Sequence, residues 1–325
     1  MGVVASEVEA SPAIDWLLAS AEPAIRFLAR RDVLGEPVEA DPDEILAGPL
    51  VRGLLRGQQP DGGFGGHPYN KWTGAHWRLV SLVELCIPVG EQHATAAAET
   101  VLAWLTGKGH VRGVKVIDGL ARRCASQEGN ALAVCCRLGL ADDPRVEQLA
   151  RSLVAWQWPD GGWNCDPRAT GRRSSFHESL APMWGLHEYA VATGSEWARD
   201  AAERTSELFL EHRLYRRLGT GEPIHEAWLV PHFPPYWHYD VLQALVLLGR
   251  LGKLDDPRTG DAVELLIGLR RPDGRWRPGG YWWRPPGSAT HAEAVDWGRR
   301  APSEPITLNA LRVLRAAGRL APTRN

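Results

Sequence analysis

The string QWPDGGW at residues 157–163 decides the fold, because it returns as QQPDGGF at 58–64 and as RRPDGRW at 270–276. A motif repeated at steps of 99 and 113 residues marks a chain built from one supersecondary unit used several times. Each copy follows a stretch with apolar residues three to four positions apart, namely PLVRGLLRGQ, VEQLARSLVAWQ and AVELLIGLRR. Pro-Asp-Gly then stops the helix, since proline cannot continue it and glycine supplies the turn. A linker and a second helical pattern follow each copy: WTGAHWRLVSLVEL, SSFHESLAPMWGLHEYA and ITLNALRVLRAAG. Between the copies lie helical segments without the string, TAAAETVLAWL with GNALAVCCRLGL and EWARDAAERTSELFLEH with YDVLQALVLLGRL. AIDWLLAS and PAIRFLARRDVLG open the series.

Counted this way the chain is all-α, with about six antiparallel helix pairs of roughly 50 residues each. Pairs with one apolar and one amphipathic helix close into a ring with the apolar helices inside, so the expected fold is an α/α toroid. An open helical solenoid is the competing arrangement. The whole of 1–325 reads as one domain, interrupted by a long Gly-, Pro- and Trp-rich loop at 277–304 that suits a lid or a seal.

Composition narrows the partners. The 325 residues carry 37 basic and 39 acidic side chains, a near balance that argues against nucleic acid. No apolar run approaches a membrane span and the start, MGVVASEVEA, lacks a secretory pattern, so a cytoplasmic location is expected. Five cysteines without a CxxC pair argue against a disulfide framework or a structural zinc knuckle. Nothing in the pattern speaks to oligomeric state. The chain has 15 Trp against 5 Phe and 6 Tyr, an excess that serves either a repeated packing motif or an aromatic cavity.

Gln58-x-x-Asp61-Gly62-x-Phe64 and Gln157-x-x-Asp160-Gly161-x-Trp163 resemble the QW repeat of squalene and hopene cyclases and their prenyltransferase relatives; Arg270 replaces Gln in the third copy. The resemblance implies a terpenoid cyclase/prenyltransferase-like toroid, in single-ring form at this length. It also implies that Phe64, Trp163 and Trp276 are scaffold, tying the end of an outer helix to the next turn. The family's chemistry does not come with it. No DxDD motif is present, Cys165-Asp166 are adjacent rather than spaced as in the prenyltransferase zinc site, and no Cys-His pair stands where lanthionine-forming cyclases have one.

The site is therefore read from the residues at the starts of the inner helices, which converge on one mouth of a toroid. Those starts bring Trp72, His76 and Trp77, then Asn130, then Phe176, His177 and Glu178, then Trp237, His238, Tyr239 and Asp240. Asp240, His238, His177, Asp166 and Glu178 are the candidate acid-base groups. Trp72, His76, Trp77, Asn130, Phe176, Trp237 and Tyr239 are the candidate substrate contacts. Bland readings stand beside these: Ser175 with Glu178 makes a capping box, and Asn130 and Asn309 serve as helix caps. His238 and Asp240 do not share a helical face, so each needs a partner elsewhere. Cys165, Asp166, His177 and His238 could bind zinc, but no ligand spacing demands it, and a site without metal or other cofactor is the preferred expectation.

The expected function is terpene cyclase-like acid-base handling of a hydrophobic, isoprenoid or polycyclic small molecule, because aromatic faces stabilise carbocations and a dry cavity protects them. The alternatives are a non-catalytic binding protein for an apolar or prenyl ligand, and a carbohydrate-active toroid hydrolase.

Overall fold

A computed structural model describes residues 8–321. Within them the chain is mostly helical, with one two-stranded sheet. The helices run α1 (Ser11–Leu18), α2 (Pro23–Leu28, continued by a π-helical turn at Ala29–Leu34), α3 (Pro42–Ala47), α4 (Pro49–Leu55), α5 (Ala75–Glu84), α6 (Gln92–Leu105) and α7 (Lys108–Val111). After a hairpin of β1 (Lys115–Ile117) and antiparallel β2 (Leu120–Arg122), which the sequence reading did not foresee, come α8 (Ser126–Arg137), α9 (Pro144–Trp156) and α10 (Phe176–Thr193). The series ends with α11 (Glu196–Glu211), α12 (Val241–Arg250), α13 (Gly260–Gly268) and α14 (Glu304–Ala316). None of the described helices is long and apolar enough to cross a membrane.

Two kinds of helix alternate. α9 buries Val146, Leu149, Ala150 and Leu153, the single stripe of an amphipathic helix. α12 buries every residue from Val241 to Leu248, the pattern of a helix enclosed on all sides. α5 packs on α6 and α8, α8 on α9 and α10, α10 on α11, and α12 on α13 and α14. α14 also packs on α1 and α2, and Val8 pairs with Leu320 in a parallel bridge, so the two ends of the described chain meet.

The repeated string has one physical job in each copy. The amide of Gln58 donates to Gly62 O at 2.9 Å and to His93 O at 2.7 Å; that of Gln157 donates to Gly161 O and Ala201 O, both at 2.9 Å. Each Gln thus clips its own turn to the next amphipathic helix, α6 or α11. Arg270 makes the equivalent reach to Glu9 O, just before α1. The turns need glycine, because Gly62, Gly161 and Gly274 have φ of 82, 90 and 81°. Trp163 and Trp276 are fully buried, and each indole N–H donates to a carbonyl ten residues earlier, Leu153 O at 2.9 Å and Leu266 O at 2.8 Å.

Three local expectations are corrected. Asn130 and Asn309 lie inside α8 and α14, because those helices begin earlier, at Ser126 and Glu304. The Ser175 to Glu178 capping box does not form; Glu178 reaches across to α8 instead. PPYWHYD is not helical: it turns at Tyr236 and Trp237, where His238 N donates to Pro235 O at 2.8 Å, and leads into α12 with Asp240 as the N-cap.

Candidate functional site

The tightest helix contact places the site. A Cβ on Gly129 of α8 would fall 2.3 Å from Pro182 N, and one on Gly185 of α10 would fall 2.4 Å from Gly129 O. Only glycine at both positions lets these backbones touch, and the contact carries the start of α10 over the start of α8.

Beside it opens an aromatic cavity lined by Asn130, His177, Trp184, Tyr236, Trp237 and His238, with Leu180, Ala181, Phe233 and Val246 among its apolar walls. Glu84 and Arg250 form its floor, and they also line a second cavity at the other end of the same helices. The aromatic cavity is narrow: about 40 Å³ of it admits a water-sized occupant, room for a few waters only.

The long loop packs behind one wall of this cavity. His238 is stacked between Trp237, at 3.9 Å between ring centres, and Trp282 of the loop, at 4.0 Å and 5° from parallel. Trp72 stacks on Tyr236 at 3.8 Å and donates its indole N–H to Trp282 O at 2.9 Å. Trp283 is buried and donates to Phe233 O at 3.0 Å. Lys71 lies over the rings of Trp72 and Trp237, 5.4 and 5.0 Å from their centres.

Both cavity imidazoles are uncharged at neutral pH. Burial lowers His177 to about 4, helped by the charge of His225. Burial lowers His238 to about 3, with His177 and Lys71 adding repulsion. Nδ1 of His177 accepts the backbone N–H of Tyr239 at 2.8 Å, so its proton sits on Nε2 and the ring is a donor there. Nδ1 of His238 has no hydrogen-bond partner among the described residues. Burial alone would raise Glu84, but Arg250 and Arg137 hold it ionised at about 2.

The other candidates fall elsewhere. Asp240 is buried but does not line the cavity: Oδ2 accepts from His232 N at 2.8 Å and Oδ1 from Gln243 N at 2.9 Å. Its ring partner is His232, eight residues back, with Nδ1 3.3 Å away. Asp166 lies on the loop before α10, where Arg168 holds it at about 2 through side-chain and backbone hydrogen bonds. Phe176 stacks on Trp228 at 4.9 Å, and Tyr239 donates its hydroxyl to Leu214 O at 2.5 Å; neither lines the aromatic cavity. Trp77 donates to Tyr69 O at 3.1 Å, and His76 is buried against Trp77 and lowered to about 3 by that burial. Asn130 lines the cavity and donates to Tyr236 O at 3.3 Å.

The four residues suggested for zinc are not gathered. Asp166 is held by Arg168 and His177 by Tyr239, and the cluster of metal-ligating atoms among the described residues is instead Cys124, Cys165 and Glu178. Sequence reasoning missed Trp184, Glu84, Arg250 and Cys124. Glu84 and Arg250 had a usable signal, opposite charges on the last turns of two apolar helical runs; Trp184 sits mid-helix, where spacing says nothing of a cavity. In comparisons with known proteins the chain matches no family model and no curated sequence.

Proposed function

We propose that the chain is a single α/α toroid of the terpenoid cyclase and prenyltransferase kind, which binds an apolar, isoprenoid-type small molecule in the aromatic cavity. Proton abstraction from that molecule falls to His238, whose Nδ1 has no partner among the described residues, while the Nε2–H of His177 serves as a hydrogen-bond donor. Ring closure is supported by α14 packing on α1 and α2, and by Arg270 making at Glu9 the contact that Gln58 and Gln157 make at the next amphipathic helix. The function rests on one observation: two uncharged imidazoles stand among Trp184, Tyr236 and Trp237 in a cavity whose described lining has a single carboxylate, the ion-paired Glu84. Such walls suit an apolar guest or a cation, since indole and phenol faces attract positive charge without quenching it. A glycosidase would need two flanking carboxylates, so the sugar reading has less support.

A guest larger than the narrow cavity enters by displacing side chains around it, with Trp282, stacked on His238, as the candidate from the long loop. The test is titration with linear polyprenes and prenyl diphosphates, followed by Trp fluorescence, and then product analysis after long incubation. Binding that Trp237→Ala weakens about tenfold, with product that His238→Gln abolishes, supports the reading; no binding to either ligand class overturns it. Binding without product selects the non-catalytic alternative, which the full engagement of both Asp240 oxygens favours.

A further inference from the structure

Cys124 stands just before α8 and Cys165 just after the second repeated string, 41 residues apart in sequence. Backbone pairing brings them together: Arg123 N donates to Asn164 O at 3.1 Å, and Arg122 bridges Asn164 in parallel. Glu178, on the first turn of α10, completes the cluster, with both sulfurs and a carboxylate oxygen all within 4.8 Å of one another. Ser126 N holds Oε2 of Glu178 at 3.0 Å, while Oε1 faces Cys165 Sγ at 3.7 Å. A tetrahedral zinc ion with Zn–S of about 2.3 Å and Zn–O of about 2.0–2.2 Å sets a sulfur and an oxygen ligand about 3.6 Å apart. The observed separation is the edge of such a tetrahedron.

We propose that Cys124, Cys165 and Glu178 bind one zinc ion, leaving its fourth position open to water or a ligand. The ligand types fit: two thiolates select a borderline-soft ion, and three protein ligands with one open position are the arrangement of zinc sites that do chemistry rather than hold structure. The surroundings fit as well. Glu178 is buried, and Arg123 is held by Glu128 at 2.5 Å. Burial raises Glu178, with repulsion from Glu128 adding to it, and the Tyr69 phenol is pushed up to about 12 by burial, with Glu178, Cys124 and Cys165 adding repulsion. A divalent cation converts that repulsion into attraction. Binding exchanges Zn²⁺ for the two thiol protons, which leave to solvent, and the carboxylate joins as an anion, so affinity rises with pH.

The site is separate from the aromatic cavity, since none of the three residues lines it. It shares only Cys165 with the zinc set suggested by the sequence, and it holds whether or not the cavity takes an isoprenoid. Its test uses the intact chain, reduced, stripped with chelator and given Zn²⁺ alone. Elemental analysis should find one zinc per chain. Affinity should fall on the order of 100-fold in Cys165→Ser and in Cys124→Ser, fall at least about tenfold in Glu178→Gln, and stay unchanged in Cys136→Ser. Because a variant could lose zinc by unfolding, the wild-type chain supplies the second readout: zinc should slow alkylation of Cys124 and Cys165 and leave Cys86 untouched. Sub-stoichiometric zinc, equal retention in the cysteine variants, or no selective protection would overturn the site.

Discussion

At the N-terminal ends of α5, α8, α10 and α12 uncharged imidazoles stand among indoles, whereas at the other ends of these helices and their neighbours four arginines meet three carboxylates. Arg250 reaches Glu84 at 2.7 Å, Arg137 reaches Glu84 at 3.1 Å and Glu188 at 3.6 Å, and Arg31 and Arg312 each reach Asp32 at 2.5 Å. The contrast follows the helix dipole. Guanidinium groups near helix C-termini meet partial negative charge, while protonated imidazoles at N-termini would meet partial positive charge. The two cavities at opposite ends of these helices therefore differ, one lined mainly by rings and the other by paired charges, although the Arg123–Glu128 pair also stands at the start of α8. Trp184 joins them, lining the aromatic cavity while donating its indole N–H to Glu188 at 2.8 Å.

The largest effect should come from breaking the charged end. Glu84→Ala strips Arg250 of its partner and should cost about 3–5 kcal/mol in urea denaturation. Glu84→Leu combined with Arg250→Met should recover most of that, because it removes both charges together. A cost below about 1 kcal/mol for Glu84→Ala would mean that water screens this end as it does a surface pair.

Acid should separate the two ends. His76 ionises at about 3 in the folded chain against about 6.5 unfolded, so the unfolded state takes up the proton first. The stability it contributes is complete above pH 6.5 and is lost as pH falls toward 3. Glu84, at about 2, loses its contribution only below about 4.5. Two pH units below 6.5 correspond to about 2.7 kcal/mol for His76 alone, at about 1.4 kcal/mol per unit. His76→Phe should flatten the fall in stability between pH 6.5 and 4.5 by that amount, measured by denaturant titration at each pH. Equal slopes in the two proteins would break the assignment of acid sensitivity to the aromatic end.

The helices and their pairing were legible because PDGGW turns carry local signals, a proline, a glycine at positive φ and a flanking apolar stripe, that need no partner to be read. His177, Trp237, His238 and Asn130, grouped from the sequence, line one cavity. Their roles were not legible. Asp240 was expected to find its partner on a neighbouring inner helix, yet its partners are a histidine in the loop before it and the backbone of α12, which follows only from where the helix starts. Glu178 looked like a cap for its own helix, but the contact between Gly129 and Gly185 brings Ser126 N to it from α8. Cys124 and Cys165 have no telling spacing because a backbone bridge between distant segments, not a local turn, joins them.

The smallest effect sharpens the comparison most directly, because the two ends also differ in access. The charged cavity has about 450 Å³ open to water-sized occupants against about 40 Å³ in the aromatic one, whose His238 carries the stacked ring of Trp282. Stacking of one aromatic pair contributes about 0.5–1.5 kcal/mol, so Trp282→Ala should lower stability by about that much through its contact with His238. The same change removes the ring stacked on His238 while the backbone carbonyl that holds Trp72 stays in place. An apolar fluorescent dye should then enter several-fold faster than in the wild type. Glu188→Ala, at the charged end, should leave that entry rate unchanged. If the dye enters both proteins at one rate, Trp282 packs against His238 without controlling the cavity, and the route in must lie elsewhere around the starts of the buried helices.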